Sequence, residues 1–310
     1  MALNYAEVWS PDLLEIMEQE SLTSPFVTTA VKWLSAKTFH FTQMSTSGYK
    51  SHSRLGGWNK GTFAQTDVPF TLTHDRDIQF MIDKIDVDET NETASIKNIS
   101  EVFHKTQQIP EMDAYFYSKV ATEAQKLDGY HSSTALSSYT KENVYGKLKA
   151  MLSAGKLRRY VAKGALIAYV NSTIMDLLEQ STDFTRKIEM TQIAEGGIGI
   201  ETRITDIDGV TLIEVIDDER FYDKFDFTDG FVPVASTSHK INVLIASPLT
   251  VKTVPKIASI YYFNPGQHTE GDGYLYQDRS LSDTFVFPNG KDNKIDSIYV
   301  DVDTETYTAE

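Results

Sequence analysis

Residues 74–127 constrain the fold more than any other part of the sequence, because a strand pattern there passes directly into a helix pattern. Ile78, Phe80 and Ile82 recur at every second position, with Asp77 and Asp83 at alternate positions, which is typical of a half-buried strand. Apolar residues then recur at helical spacing over the rest of the run. Because strand and helix patterns continue to mix along the remaining chain, the sequence predicts the α+β class.

Pro110 divides the helical part of this run into two predicted helices. A proline disfavours helical geometry in the residue before it, so we expect an extended conformation at Ile109. The second helix begins at Pro110 and ends at Gly129. At roughly 1.5 Å per residue, its ~18 residues span about 27 Å, which is enough to brace a whole subunit. Its apolar stripe consists of Met112, Phe116, Val120, Ala124 and Leu127.

A long β-hairpin is predicted over residues 38–69. Apolar residues alternate at both ends of this segment, whereas its middle is polar and contains Gly48, Gly56, Gly57 and Gly61. A tip with so few apolar residues does not pack on its own domain, and long loops of this kind are usually functional. We therefore expect the tip to bury area on another molecule.

A short amphipathic helix is predicted near the N-terminus. Ser10 and Pro11 are typical of an N-cap followed by a first-turn proline. Leu13, Ile16 and Met17 then lie on one helical stripe. Such a helix is either a core element or a segment that docks on a neighbouring molecule, and the sequence leaves both alternatives open.

The remaining elements are shorter. We predict helices over 142–154 and 173–180, buried strands over 164–170 and 241–248, and short strands within 189–215 that are joined by turns at 196–197 and 208–209. The C-terminal stretch is rich in strand patterns. Within it, Asn289-Gly290 predicts the turn of a hairpin.

Charge and cysteine content exclude several functional classes. The 29 basic and 44 acidic residues give a formal net charge of −15, which opposes nucleic-acid binding by a dominant basic surface. Contact with DNA would therefore be loose or local. The absence of cysteine excludes disulfides and thiolate metal sites and is typical of a reducing cytoplasm. Because the N-terminus lacks a signal-peptide pattern and no apolar run approaches ~18 residues, we expect neither export nor membrane insertion.

Motifs of catalysis and cofactor binding are missing from the sequence. The seven histidines are scattered, and none has the spacing of a metal site. There is no phosphate-binding glycine loop and no G-x-S-x-G elbow, and the acidic clusters at 206–208, 217–219 and 226–229 read as surface turns that do not fit a calcium loop. We therefore assign no catalytic, cofactor-binding or metal-binding residue and expect no cofactor. Paired carboxylates meet only in three dimensions, so a glycan-acting hydrolase stays an alternative.

Residues 74–90 and 97–124 resemble the major capsid proteins of tailed bacteriophages with the Hong Kong 97 fold. The resemblance rests on HDR at 74–76, on Phe80 and Asp83, and on IPEMDAY at 109–115. A weaker likeness continues in the segments 208–221, 241–251, 254–265 and 274–287. The resemblance rests on specific residues over about fifty positions. Over most of the rest of the chain it rests only on the general sequence pattern.

The resemblance implies both an architecture and a function. It implies an N-terminal arm (1–37), an E-loop hairpin (38–72), a peripheral domain (73–138) with a spine helix at about 110–128, an axial domain (139–250) and a return to the peripheral domain (251–310). The expected function is structural and not enzymatic: copies of the chain would form pentamers and hexamers of an icosahedral shell that holds double-stranded DNA non-specifically. The arm and the E-loop would clasp neighbouring subunits. The expected contact residues are Leu13, Ile16, Met17, Tyr49, Lys50, Arg54, Trp58, Lys60 and Phe63.

The same resemblance implies further partners and a location. A portal protein is expected, and a separate scaffolding protein is expected because no long charged helical segment precedes the arm. The shell would be assembled in the bacterial host cytoplasm and would end in the virion. Some members of the family join an E-loop lysine to an asparagine of a neighbour; Lys50 and Lys60 lie in this loop, but no motif identifies the asparagine or a catalytic glutamate.

Three alternatives to a phage shell remain at the level of sequence. An encapsulin-like nanocompartment would share the fold and enclose a cargo enzyme in place of DNA. The glycan-acting hydrolase would need a carboxylate pair in a deep cleft. The third alternative is a monomeric binding module, which would not assemble.

Overall fold

The computed structural model describes residues 21–29, 33, 35, 37–52, 56, 58–85, 96–181, 188–189, 204–269, 271–289 and 294–308. The helices are α1 (Ile96–Phe103), α2 (Ile109–Gln125), α3 (Val144–Leu152), α4 (Arg158–Val161) and α5 (Ser172–Gln180). The strands are β1 (Thr38–Thr46), β2 (Phe63–Thr71), β3 (His74–Asp83), β4 (His131–Ser133), β5 (Ile167–Asn171), β6 (Ile188–Glu189), β7 (Ile204–Ile207), β8 (Val210–Val215), β9 (Phe225–Asp226), β10 (Val232–Pro233), β11 (His239–Ala246), β12 (Val251–Phe263), β13 (Gly273–Val286) and β14 (Ile298–Thr306).

A seven-stranded mixed sheet with the order β4-β14-β11-β5-β8-β7-β6 forms the centre of the larger part of the molecule. Successive side chains of a strand point to opposite faces, and in β5 both faces are buried. Ala168 and Val170 pack with the helices α3 and α5, whereas Tyr169 packs on the opposite side with α2. A sheet covered on both faces needs continuous apolar strands, which explains the runs over 164–170 and 241–248.

An aromatic cluster lies within the core between this sheet and α2. Phe116, Tyr117 and Tyr169 are fully buried, and their rings meet edge to face at centroid distances of 5.1 to 6.2 Å. Phe26, from the N-terminal part of the chain, packs on Phe116 at 4.6 Å. Since edge-to-face and tilted ring pairs add specificity to apolar burial, this cluster fixes how α2 lies on the sheet.

A second sheet of three antiparallel strands has the order β12-β13-β3. The turn that precedes β3 is held to this sheet by Asp283, which accepts hydrogen bonds from the backbone N–H and the hydroxyl of Thr73, both at 2.9 Å, and from the Tyr115 hydroxyl at 2.8 Å. Because Tyr115 belongs to α2, one buried carboxylate connects the hairpin exit, the long helix and the second sheet.

A second buried carboxylate, Asp113 of α2, connects the N-terminal segment to the core. The hydroxyls of Ser21 and Thr23 donate to its Oδ1 at 2.6 and 2.7 Å, and the backbone N–H of Leu22 donates to Oδ2 at 3.3 Å. The Arg220 guanidinium completes the set at 3.1 Å. Asp113 is fully buried, so these four donors replace the solvation that the carboxylate lost on folding.

The helix α2 matches the predicted long helix closely, but the predicted extended break at Ile109 is wrong. Ile109 is helical, with φ −64° and ψ −49°, and its N–H donates to the carbonyl of His104 across a π-helical turn at His104–Gln108. The wider turn brings Pro110 to the start of a new helical register, where its missing N–H is not needed. Within the described residues, no helix is both long and apolar enough to span a membrane.

The predicted hairpin turn at Asn289-Gly290 does not join neighbouring strands. The strand before it, β13, pairs with β12 and β3, whereas β14 belongs to the seven-stranded sheet. Gly290 lies outside the described residues, and Asn289 forms an isolated bridge with Lys294. A turn dipeptide is a local signal, and here the burial of β14 between other strands decides its partner.

Other local predictions are confirmed with altered bounds. The predicted strand that contains Ile78, Phe80 and Ile82 extends over His74–Asp83, because Phe70 and Thr71 complete β2. The helix predicted over 142–154 is shorter, Val144–Leu152. The turn at 208–209 joins β7 to β8: both residues have positive φ, and Asp206 accepts a hydrogen bond from the N–H of Gly209 at 2.7 Å.

Replacing Asp113 by asparagine is expected to lower the free energy of unfolding by about 3 kcal/mol, since Arg220 loses its buried counter-charge and two buried hydroxyls lose a charged acceptor. Urea unfolding followed by circular dichroism measures this value. The control is Glu123→Gln on the same helix, where the exposed pair with Lys126 should contribute less than about 1 kcal/mol. Equal losses in the two variants would contradict the role of Asp113.

Candidate assembly surface and a polar cavity

The root of the β1–β2 hairpin is fixed by an aromatic cluster. Phe39 is 1% exposed, stacks on Phe70 at 5.7 Å and meets Phe285 edge to face at 5.2 Å. Phe70 also meets Phe287 at 5.0 Å. Because two of these rings belong to the hairpin and two to the end of β13, the hairpin leaves the molecule in a fixed direction.

Nine antiparallel pairs connect β1 and β2, from Thr38 opposite Thr71 to Thr46 opposite Phe63. At about 3.4 Å per residue the two strands extend roughly 27 Å from root to tip. The hairpin forms its own two-stranded sheet and pairs with no other described strand. The predicted long hairpin is therefore confirmed, and its two strands lie outside both larger sheets.

The segment between β1 and β2 is the hairpin tip, and the hydrogen bonds of its described residues (47–52, 56 and 58–62) join residues of the tip to one another. The N–H of Thr62 donates to the hydroxyl of Ser47 at 2.9 Å, and Lys50 donates to the carbonyl of Lys60 at 3.3 Å. The Asn59 amide donates to the carbonyl of Ser51 at 2.8 Å. These contacts give the tip a local shape that does not depend on the body of the molecule.

Large apolar side chains are exposed on the hairpin. Tyr49 and Trp58 are almost completely accessible, at 110% and 95%, and Phe63 and Met44 are 76% and 59% exposed. Single exposed apolar residues are ordinary on protein surfaces, but four of them on one projecting hairpin are typical of an interaction surface. We call this set of four side chains the hairpin patch.

The structure places five of the predicted contact residues on the hairpin. Tyr49, Lys50, Trp58 and Lys60 lie in the tip, and Phe63 begins β2. Their role in contacts between subunits stays a prediction. Met44 was missed, because its place in an alternating strand gave no indication that the strand would project. The predicted contact residues Leu13, Ile16, Met17 and Arg54 lie outside the described residues.

Residues 21–28 belong to the core of their own chain. The predicted arm, residues 1–37, was expected to clasp a neighbour, but Phe26 is fully buried and Leu22 accepts a hydrogen bond from the Tyr169 hydroxyl at 2.7 Å. The N–H of Thr28 donates to the carbonyl of Thr253 at 2.9 Å. Ser21 and Thr28 thus find partners on α2 and β12 of their own chain, and the role of residues 1–37 in clasping a neighbour stays a prediction.

A polar cavity of about 300 Å³ lies where β3 and β13 pass under the π-helical turn. Its polar lining includes Asp278 and Ser280 of β13 and Arg76 of β3, and its apolar lining includes Phe103 and Met112. These residues are separated by up to about two hundred positions in the sequence. No motif links them, and the sequence analysis did not find this site.

Asp278 is 5% exposed, and its Oδ2 has no hydrogen-bond partner among the residues that the structure describes. Burial raises the pKa of this carboxyl to about 6, against the lowering effect of hydrogen bonds from Tyr276 and Gln108. The nearest histidine nitrogen, Nδ1 of His104, is 4.0 Å from Oδ2. Burial also lowers the pKa of His104, whose Nε2 shares a hydrogen bond with the Tyr276 hydroxyl at 2.9 Å and whose Nδ1 contacts Gln108. Asp278 therefore has no cationic partner near neutral pH.

The basic groups of the cavity are already paired with other residues. Nε of Arg76 is 2.6 Å from Glu111 Oε1, and the same guanidinium donates to the backbone carbonyls of Phe227 and Gly230. His74 Nε2 lies 3.5 Å from Glu111. The arginine is consequently held on Glu111 and does not neutralise Asp278.

The acidic clusters noted in the sequence form surface turns, as predicted. Asp217 accepts hydrogen bonds from the N–H of Glu219 and from Arg220, both at 3.1 Å, and Asp226 accepts from Thr228. Their carboxylates complete local turns. Within the described residues there is no group of three or more His, Cys, Asp or Glu side chains arranged to hold a metal ion.

Asp278→Asn is expected to stabilise the protein and to remove part of its pH dependence. An acid whose folded pKa of about 6 exceeds its unfolded value of 3.8 binds its proton more tightly when folded, so stability falls as pH rises from 4 to 6. Two pKa units correspond to about 3 kcal/mol in the free energy of unfolding. The free energy of unfolding of the variant should exceed that of the natural sequence by this amount near pH 7.5 and by almost nothing below pH 4. Urea unfolding across this pH range measures the difference.

The control for this experiment is Asp301→Asn. Asp301 is also buried, but its carboxylate accepts hydrogen bonds from Ser132, Thr134, Tyr139 and Asn242, and it lies outside the cavity lining. This variant loses a charged acceptor, so it should not be stabilised near pH 7.5. An unchanged pH profile in Asp278→Asn would contradict the assignment of the raised pKa to Asp278.

Solved structures of other proteins share the fold described above. No family model and no curated protein matches the sequence. Among solved structures, the mature capsid of bacteriophage PhiM1 superposes with a TM-score of 0.62 at 13% identity, covering 93% of this chain and 88% of that one. The capsid of cyanophage P-SCSP1u gives 0.60 at 11% identity, covering 90% and 86%. A virus-like particle from Pyrococcus furiosus gives 0.50 at 13% identity, covering 96% and 99%. The chain therefore has the α+β fold of bacteriophage capsid proteins, as its resemblance to the Hong Kong 97 family predicted.

Proposed function

We propose that the chain is the major capsid protein of a tailed bacteriophage, a structural subunit that assembles with itself into an icosahedral shell. The observation that carries this proposal is the capsid fold, shared over about nine-tenths of the chain with the subunits of two phage capsids. Folds host many functions, so the proposal also needs a surface suited to assembly. The hairpin patch provides one.

The hairpin supports assembly for a physical reason. Its root is fixed by the Phe39 cluster, whereas Tyr49 and Trp58 at the tip are exposed to solvent. Burying apolar area contributes about 25 cal/mol per Å², and aromatic residues dominate the energy of many interfaces. A second copy that covers the tip would gain this free energy, whereas an isolated subunit gains none of it.

The assembly contacts would be heterologous, as closed shells require. The projecting hairpin of one subunit would dock on the body of the next, which generates rings of five and six copies when the rotation closes. In this proposal residues 38–72 act as the E-loop and α2 as the spine helix. Residues 73–138, 139–250 and 251–310 form the peripheral domain, the axial domain and the return to the peripheral domain.

The net charge of the subunit bears on how the shell would hold its contents. With a formal net charge of −15, the subunit repels phosphate backbones at long range, so we propose that double-stranded DNA is enclosed without sequence-specific contacts. A portal and a separate scaffolding protein complete the proposed partners. Assembly would take place in the host cytoplasm, and the final location is the virion.

A nanocompartment shell is the second candidate, because the virus-like particle from Pyrococcus furiosus shares the fold over 96% of this chain. Its TM-score of 0.50 is lower than the 0.62 of the phage PhiM1 capsid, so the phage shell is the better supported function. Particles purified from infected cells distinguish the candidates: nuclease-resistant DNA indicates the phage shell, and a protein cargo indicates the nanocompartment.

Deleting the hairpin tip is expected to abolish closed shells and to leave the subunit folded. Residues 47–62 would be replaced by Asn-Gly, which forms a tight turn between Thr46 and Phe63. Since the tip bonds within itself, the free energy of unfolding should change by less than about 1 kcal/mol. Electron microscopy of the purified protein measures assembly, and uniform closed particles from the deletion variant would contradict the role of the hairpin.

Point variants separate the aromatic side chains from the loop itself. Tyr49→Ser and Trp58→Ser together should raise the subunit concentration needed for assembly by at least tenfold, because each lost aromatic anchor costs about 1 to 2 kcal/mol per contact. Ser51→Ala, in the same tip, keeps the backbone carbonyl that Asn59 uses and serves as the matched control. Light scattering across a concentration series measures the threshold. Equal thresholds for all variants would rule out the hairpin patch.

A further inference from the structure

The side chains between the three-stranded sheet and the helices change from apolar to polar at the π-helical turn. Under α1 the inward face is apolar, and Tyr276, Phe80 and Ile82 pack there. One step further along β13 the same face carries Asp278, followed by Ser280 and Ser282. An interior position is expected to be apolar unless its polar groups are satisfied.

The cavity at this position is large enough for a ligand. Its volume of about 300 Å³ is at the lower end of the range of small-molecule sites and corresponds to roughly ten water molecules. Ile78, Phe103 and Met112 form an apolar part of the lining. The lining thus combines an apolar surface with the buried carboxylate of Asp278, whose Oδ2 has no hydrogen-bond partner among the described residues.

The charge of the lining favours a cation. Arg76 is bound to Glu111, and the buried His104 is held by Gln108 and Tyr276. The remaining acidic groups are Asp278, which is buried, and Asp77 and Asp229, which are exposed. A positive group that reaches Asp278 would gain a charge-assisted hydrogen bond in surroundings of low dielectric.

We propose that this cavity binds an alkyl ammonium group, with the ammonium donating a hydrogen bond to the carboxylate of Asp278 and the aliphatic chain lying along Ile78, Phe103 and Met112. A bare divalent metal ion fits poorly, since such ions take six or more oxygen ligands and the described residues provide no group of three. The ammonium has two possible sources: a free aliphatic diamine or a lysine side chain of a second copy. The inference does not depend on the proposed shell function.

Calorimetric titration of the purified full chain with 1,4-diaminobutane tests the proposal, with potassium chloride at equal ionic strength as the control for charge alone. Binding of one amine per chain near pH 7.5 is expected, and Asp278→Asn should weaken it at least tenfold. This variant should remain folded, because it removes a buried charge. Asp296→Asn, equally buried but outside the cavity lining, should bind as the natural sequence does.

The pH dependence gives an independent readout. About one pH unit below a pKa of about 6, roughly a tenth of Asp278 is ionised, so binding near pH 5 should be about tenfold weaker than near pH 7.5. His74, His104, Asp77, Glu111 and Asp229 also face the cavity or its carboxylate. The contribution of these five groups to the pH dependence of amine binding is measured by titrating Asp278→Asn at both pH values. In this variant the pH dependence assigned to Asp278 should disappear.

The two sources of the ammonium are distinguished by sedimentation with and without the diamine. If a lysine of a second copy occupies the cavity, the diamine should shift the protein toward smaller species, and Asp278→Asn should do the same without it. If the natural ligand is a free amine, the diamine should bind without changing the size. Either result supports the site. No binding, or equal binding by the natural chain and Asp278→Asn together with unchanged sedimentation, would overturn it.

Discussion

The architecture depends first on the buried carboxylate of Asp113, which holds three separate parts of the chain together. Ser21 and Thr23 of the N-terminal segment, the helix α2 and Arg220 of the turn after β8 all meet at this group. A buried charge is stable only when its hydrogen bonds are made, so each of these segments must take its place before the carboxylate can be accommodated. The requirement fixes α2 on the seven-stranded sheet, and the aromatic packing around Phe26 and Phe116 then has one geometry.

The projecting hairpin can present its tip to a second copy in one direction because the rest of the subunit is rigid. Asp283 and the Phe39 cluster fix the exit of the hairpin, so the direction in which its tip projects is set by the body. The tip itself is polar apart from the side chains that it exposes, and it gains little by folding back. The chain thus separates stability from assembly: apolar burial in the two sheets stabilises the subunit, and apolar groups on the hairpin remain available to a second copy. This separation explains how a protein without disulfides can be stable as a subunit and still release free energy on association.

The sequence predicted the elements with strong local periodicity and missed what long-range contacts decide. The hairpin, α2, the apolar strand β11 and the turn at Asp208 follow from alternation, helical spacing and turn chemistry. The break at Ile109 was wrong, because a π-helical turn accommodates Pro110 without leaving the helix. The pairing after Asn289 was wrong, because β13 and β14 find partners in different sheets. The burial of Phe26 was not predicted, since it depends on rings about ninety and more residues away. The cavity had no local signal, because the polar residues at positions 278, 280 and 282 look like the outer face of an ordinary strand.

Buried carboxylates in this protein fall into two groups, and the difference lies in the number of donors. Asp301 is fully buried and accepts hydrogen bonds from Thr134, Tyr139 and Asn242 at 2.6 to 2.8 Å and a further one from Ser132, much as Asp113 is satisfied by its four donors. Such groups connect distant segments, and their satisfied oxygens leave nothing for a ligand. Asp278 is buried to a similar degree but keeps an oxygen without a partner, and it lies beside a cavity. An ionised carboxylate of this kind lowers the free energy of unfolding near neutral pH, and a bound cation would offset that loss. Asp296 likewise keeps one oxygen without a partner among the described residues, so donor count separates Asp278 and Asp296 from the structural aspartates, and the cavity beside Asp278 makes that carboxylate the one available to bind.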